Sequence, residues 1–347
     1  MRRRSRTGCD SVDCECRDWH ASPRAVVVAM CKAHESPAAQ SKVSAWLALS
    51  RLPFHTVGVL PFVLGAMVAW RQSGAFQWEI AAWGTLGVVL VMLATYYAGE
   101  YWDYGEDSVG WLMSRASGET PSRFAGGSRV LQRKLLPRRT ALWASLISVL
   151  LALVVGGILQ FGYRTGPWTL AFGLVGLVGG FFYSTWPVRW VRTGFGELWI
   201  AFCYGWLPVA TGCYLQLGAV PSVVHWMAIP IGLTIFNVIL LNEFPDHESD
   251  AATGKTNLTV RLGRERAARL YVVAGVASWG ALFLSSVQGV PARVLCYYGP
   301  VLALSAVLVS LVWRGDWREK RRLEGLCAAN LIVNLGTTLA YMLALVG

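Results

Sequence analysis

The stretch Glu79 to Asp107, E-I-A-A-W-G-T-L-G-V-V-L-V-M-L-A-T-Y-Y-A-G-E-Y-W-D-Y-G-E-D, carries two signals in immediate succession. From Ile80 to Gly99 it holds no charged side chain, and a helix needs about 20 such residues to cross the hydrocarbon core of a bilayer. It then closes on an acidic row, Glu100, Asp103 and Asp107, whose spacing places all three on one face of a helix. A membrane span ending in clustered carboxylates is therefore the unit from which the rest of the chain is read.

Working outward by apolar run length, the candidate spans are Ser44 to Trp70, Glu79 to Trp102, Ala141 to Phe161, Trp168 to Tyr183 and Glu197 to Leu217. They continue with Ser222 to Phe244, Leu270 to Val287, Val294 to Trp313 and Leu323 to Val346. The fold class expected is all-α, a polytopic membrane protein of nine transmembrane helices. Composition agrees: 54% of the 347 residues are hydrophobic and 15% charged, against about 25% charged in soluble domains. The 36 glycines and 17 tryptophans supply small packing residues and interfacial rings. Residues 1–43 are polar and lack a hydrophobic period, so they read as a disordered tail preceding a membrane domain at 44–347. Within that tail Cys9, Cys14, Cys16, His20, Cys31 and His34 match no usual zinc spacing.

The net charge of +11 is a matter of sidedness. With alternating helices, Arg71, Arg164 and Arg293 fall on one side and the rest of the 31 basic residues on the other. By the positive-inside rule the amino terminus is cytoplasmic and the carboxyl terminus outside, in a multi-pass protein of the cell membrane. The basic excess then needs no nucleic acid to explain it, and no obligate protein partner is evident.

The sixth span ends as the second does. N-E-F-P-D-H-E-S-D places Asn242, Asp246 and Asp250 at four-residue steps on the same expected side as the first row. Either row alone would be read as a solvated helix end. Two of them at one membrane boundary repel each other, and a divalent cation would relieve that repulsion. Mg²⁺ suits hard oxygen ligands and is commonly held by one or two carboxylates together with substrate phosphates. The metal-ligand set expected is Glu100, Asp103, Asp107, Asn242, Asp246 and Asp250, with the four aspartates catalytic. Cations follow each row: Arg123, Arg129 and Arg133 after the first, Lys255 and Arg261 after the second.

Several separated motifs resemble the UbiA superfamily of intramembrane prenyltransferases, from about Ser44 to the end. These are R-L-P-F at Arg51 to Phe54, F-A-G-G-S-R-V-L at Phe124 to Leu131, and Y-S-T-W-P-V-R-W followed by G-F-G-E-L at Tyr183 to Leu198. The fourth is L-N-E-F-P-D-H-E-S-D-A-A-T-G-K-T-N-L-T-V-R-L-G at Leu241 to Gly263. The branch most similar is that of the 1,4-dihydroxy-2-naphthoate polyprenyltransferases. In one place the chain departs from the pattern: Gly99 and Glu100 stand where the family's first motif usually has Asn and Asp, so Glu100 or water must supply that ligand.

The resemblance implies helices around a central cavity open to lipid. It also implies a prenyl diphosphate held through Mg²⁺, and an aromatic lipid-precursor acceptor as in menaquinone synthesis. Arg129, Arg189 and Lys255, with Arg261 and Asn242, are expected to bind the diphosphate. Tyr183, with Tyr96 or Tyr97, is placed to stabilise an allylic cation through its ring face. Within the superfamily the acceptor could instead be a haem, chlorin or glycerolipid, or the fate terpene cyclisation. A transporter would also have many spans, but its acids belong at the midplane.

Overall fold

The computed structural model describes residues 41–118, 122–124 and 126–347. The expected disordered tail, apart from its last residues, and its cysteine and histidine group lie outside the described residues.

The described chain is helical. α1 (Lys42–Leu49) leads through a 3₁₀ turn at Leu52–His55 into α2 (Thr56–Ser73), and α3 (Trp78–Trp102) is followed by the short α4 (Tyr104–Ala116). After a loop come α5 (Arg138–Gly157), finishing in a π turn at Ile158–Gly162, and α6 (Thr169–Ser184). α7 (Gly196–Ala201) continues through a second π turn, Phe202–Trp206, into α8 (Leu207–Leu217). Then follow α9 (Ser222–Asn242), two short helices α10 (His247–Ala252) and α11 (Leu258–Leu262), and the long helices α12 (Arg264–Val287), α13 (Val294–Arg314) and α14 (Lys320–Val346).

Among the described residues 8 helical segments are long and apolar enough to cross a membrane. The expected fourth span, α6, is apolar but only 16 residues long, short of the usual requirement of about 20. The reason is local: Gly166 and Trp168 turn the chain before it, and Thr185 becomes extended after it.

Apolar side chains face outward as well as inward, as lipid permits. On α5, Trp143, Ile147, Leu150 and Val154 are exposed, whereas Ser145 is fully buried and donates to the Ala94 carbonyl at 2.7 Å. With lipid tails as apolar as leucine, helix association here depends on close packing and buried hydrogen bonds. α2 and α8 meet through Gly65 and Gly212; a Cβ at Gly212 would sit 2.0 Å from the Phe62 carbonyl oxygen, and one at Gly65 would sit 2.0 Å from that of Val209. In the second half, Asn237 donates to the Tyr271 carbonyl at 3.0 Å and the Tyr271 hydroxyl to Asn330 at 3.2 Å, tying α9, α12 and α14 together.

Gly212→Val should force α2 and α8 apart and destabilise the bundle by about 1–3 kcal/mol or more. The melting temperature in detergent is expected to fall, while Gly299→Ala, which meets nothing within 4 Å, leaves it unchanged.

Candidate active site

Each acidic row straddles a helix end. α3 stops at Trp102; Asp103, at φ −87° and ψ 1°, caps it and also opens α4, whose first turn holds Glu106 and Asp107. In the same way Asp246 opens α10, whose first turn holds Glu248 and Asp250. The single continuous helical face read from the sequence is thus a bend in both cases. The backbone still carries the four-residue step, with Asp107 N donating to the Asp103 carbonyl at 2.9 Å and Asp250 N to that of Asp246 at 2.8 Å. Carboxylates in a first turn are favoured by the helix dipole. α4 and α10 pack together where Gly110 faces Ser249, and this brings the two rows side by side.

On one side of the site the acids are matched by cations. Arg189 Nη2 lies 3.1 Å from Asp103 and 2.8 Å from Glu106; Lys255 Nζ lies 3.0 Å from Asp250 and 3.3 Å from Glu106. Ser184 Oγ donates to Asp103 at 2.5 Å and Asn257 Nδ2 to Asp250 at 2.8 Å. Burial alone would push the Lys255 ammonium down, but Asp250, Asp103 and Glu106 around it hold it well above the usual lysine range. The turn bearing Lys255 is itself anchored by two carboxylates: the buried Glu197 accepts from Leu258 N at 2.5 Å, and the half-buried Glu243 from Thr259 Oγ1 at 2.8 Å.

Between the rows runs the glycine loop. Gly126 N donates to Asp246 Oδ2 at 3.1 Å and Ser128 N to Glu100 Oε1 at 2.6 Å, so backbone amides reach carboxylates of both rows. Gly127 has φ +65°, and a Cβ there would sit 2.7 Å from Asp107 Oδ2; only glycine satisfies both conditions. Glu100 also pairs with Arg51 at 3.0 Å. One oxygen of Glu100 is therefore occupied by protein, and its Oε2 is left buried without a partner.

The second pair of acids is poorly compensated. Burial first, then neighbouring carboxylates, push the Asp246 carboxyl up to about 6 and raise that of Asp107, despite Lys255 nearby. Both line a polar cavity of about 260 Å³, with Arg129, Trp111, Arg264 and Trp317 on its walls. Asn242 Oδ1, four residues before Asp246, is buried with no hydrogen-bond partner.

No three acidic, histidine or cysteine side chains among the described residues are gathered to ligate one ion unaided. Yet excess buried carboxylate and orphaned oxygens at Asn242 and Glu100 are a donor set that fits a hard divalent cation completed by water and phosphate.

Below the rows lies a separate apolar cavity of about 140 Å³ between α3, α5, α6, α7 and α8, with Gly58 of α2 at its edge. Its walls include Gly87, Met92, Gly173, Gly176, Tyr183 and Tyr204.

The structure gathers Asp103, Asp107, Asp246, Asp250, Glu100, Arg189 and Lys255 at one site, with Arg129 on the polar cavity wall and Tyr183 on the apolar one; Asn242 ends α9 four residues before Asp246. Arg261 is the exception. Its Nε donates to the Thr256 carbonyl at 2.6 Å and the residue is exposed, so it braces the turn before α11. Glu106, Arg192 and the pairing role of Arg51 did not stand out in the sequence. Glu106 lies outside the four-residue step, and Arg51 lies 49 positions from Glu100.

Comparison with known proteins agrees with this architecture. The profile described as the UbiA prenyltransferase family matches residues 59–331. A 1,4-dihydroxy-2-naphthoate octaprenyltransferase from Mycobacterium tuberculosis is 27% identical over 242 residues, covering 67% of this chain and 76% of that protein. The bacteriochlorophyll synthase 33 kDa chain of Cereibacter sphaeroides is 33% identical over 137 residues, 39% of this chain and 43% of its own length. Among solved structures, a UbiA homolog from Archaeoglobus fulgidus bound to GPP and Mg2+ superposes with a TM-score of 0.59 at 14% identity, covering 86% of this chain and 99% of that one. With the family profile spanning most of the membrane domain, the chain is a membrane prenyltransferase belonging to the UbiA family.

Proposed function

We propose that the protein transfers a polyprenyl group from an allylic diphosphate to an aromatic acceptor of the dihydroxynaphthoate type, in quinone-lipid synthesis of the menaquinone kind. One observation carries this reading. Tyr183 lines the apolar cavity while the next residue, Ser184, donates to Asp103, so a lipid tail and a charged head group can be held at adjoining positions. The similarity to dihydroxynaphthoate octaprenyltransferases supports the acceptor class.

The apolar cavity takes the prenyl chain, where each buried methylene contributes about 0.8 kcal/mol. Arg189 and Lys255 would neutralise the diphosphate, and Asn242, Asp107 and Asp246 would hold Mg²⁺. Bound Mg²⁺ would supply electrostatic stabilisation of the leaving diphosphate. Tyr183 and Tyr204 both line the apolar cavity, and Tyr183 directly precedes Ser184, which bonds Asp103. They stabilise allylic positive charge and exclude water from it. The basic loops carrying the site face the cytoplasm, which gives a water-soluble acceptor access.

The test is Mg²⁺-dependent release of diphosphate from radiolabelled geranylgeranyl diphosphate by purified protein, with and without 1,4-dihydroxy-2-naphthoate. Label moving onto the naphthoate supports the proposal. Release independent of any acceptor points to cyclisation, and activity only with a chlorin acceptor points to the reaction class of the bacteriochlorophyll synthase relative.

Asp103→Ala and Asp246→Ala should each lower kcat about a hundredfold or more while the protein remains folded in detergent. A fully active variant of either would sink the metal-diphosphate reading. Gly173 borders the cavity, and a Cβ there meets nothing within 4 Å. Gly173→Phe should therefore fill the cavity without unfolding the bundle and shift preference toward shorter prenyl donors, measured as kcat/KM across a donor series.

A further inference from the structure

Glu106 is the point on which three cations converge. Arg189 Nη2 is 2.8 Å and Arg192 Nη1 3.6 Å from Oε1, and Lys255 Nζ is 3.3 Å from Oε2. Both Glu106 and Lys255 are only 8% exposed. The cations come from two loops that are stitched to each other. Thr256 N and Oγ1 donate to the Arg192 carbonyl at 3.0 and 2.7 Å, and Arg192 Nη2 donates to the Thr253 carbonyl at 2.7 Å. Arg189 is fixed further: its backbone is left-handed at φ 49°, and its Nε donates to the Ser184 carbonyl at 3.1 Å. Such a backbone persists where its surroundings over-determine it, commonly at ligand clamps. Glu106 supplies the remaining corner, from α4.

Three like charges brought together in a buried site repel strongly. Asp103 and Asp250 each take one of them, but in the reading above these aspartates also face the metal and the substrate. Glu106 has both oxygens turned to cations, so it is the carboxylate committed to holding them. Without its charge, Arg189 and Lys255 would collapse onto Asp103 and Asp250, and Arg192 would swing outward.

We propose that Glu106 is a positioning residue that gathers Arg189, Arg192 and Lys255 into one preorganised face for the diphosphate of the prenyl donor. This rests on the proposed function above, and it adds a residue that forms ion pairs with all three cations.

The experiment is calorimetric binding of inorganic diphosphate, in Mg²⁺, to the detergent-purified full chain, comparing wild type with Glu106→Gln, which keeps shape and hydrogen bonding but removes the charge. Glu106→Gln should bind diphosphate about tenfold more weakly and show a similar rise in KM for the prenyl donor, as loss of a preorganised charged contact implies. In contrast, kcat and the Mg²⁺ concentration for half-maximal rate should stay within about threefold, and Glu106→Asp should recover part of the affinity.

Unchanged or tighter diphosphate binding in Glu106→Gln overturns the inference while leaving the prenyl-transfer reading standing. A shift confined to the Mg²⁺ dependence also overturns it, by making Glu106 a metal ligand. If wild type binds no diphosphate, the prenyl-transfer reading falls together with this inference. Should Glu106→Gln fail to purify folded, Arg192→Gln carries the same test, with a loss of about threefold expected and no loss overturning it.

Discussion

Everything at this site depends on the burial of carboxylates where water gives way to the membrane. An ionised carboxyl taken from water is unfavourable unless it is paired or hydrogen-bonded, and here the acids of the two rows meet that constraint in two ways. Asp103, Glu106 and Asp250 are matched by Arg189, Arg192 and Lys255, and Glu100 by Arg51; Asp107 and Asp246 line the polar cavity, Asp246 accepting from Gly126 N, and both carboxyls are raised by burial. The site is thus divided into a compensated half and an uncompensated half. An anion fits against the first and a divalent cation against the second, which is the polarity a metal-bound diphosphate requires.

The constraint also explains the loops. Arg51, Arg129 and Arg189 all have left-handed backbone conformations, unusual for a side chain with a Cβ, and all three stand beside the acids. Each is held by tertiary contacts: Arg51 by Glu100, Arg129 by the Ser122 carbonyl, Arg189 by Asp103, Glu106 and the Ser184 carbonyl. The glycine loop answers the same need from the backbone side. Gly126 and Gly127 can approach both rows because no side chain separates their amides from the carboxylates. Three of the five non-glycine residues with left-handed backbone among the described residues therefore stand where charge must be positioned, the other two being Lys134 and Arg164.

Apolar and polar functions are kept apart by the helices themselves. The cavity below the acids is lined by glycines of α3 and α6 and by leucine and valine side chains, which offer volume without directional contacts. Tyr183 and Ser184, consecutive residues at the end of α6, mark the boundary: one belongs to the cavity wall, the other to the acid network. α6, at 16 residues, is shorter than the spanning segments on either side, Arg138–Gly162 and Gly196–Leu217, and its end falls at that boundary.

What the sequence by itself determined is whatever repeats along the chain. Apolar run length located every long helix, with α6 coming out shorter than a span. The four-residue step picked out both acidic rows, and the motifs that resemble the UbiA superfamily pointed to the chemistry. These signals are local, because a helix imposes its period on neighbouring residues whatever the rest of the fold does. What only the tertiary structure decided is which charges meet. Lys255, in the loop before α11, and Arg261, on α11, are six positions apart, yet one reaches two buried carboxylates while the other bonds the Thr256 carbonyl from an exposed position. Glu106 sits off the helical step, and its partners lie more than 80 residues away. Ion pairs across such distances depend on where loops bend and on which backbone conformations the packed helices impose, and no period in the sequence encodes either.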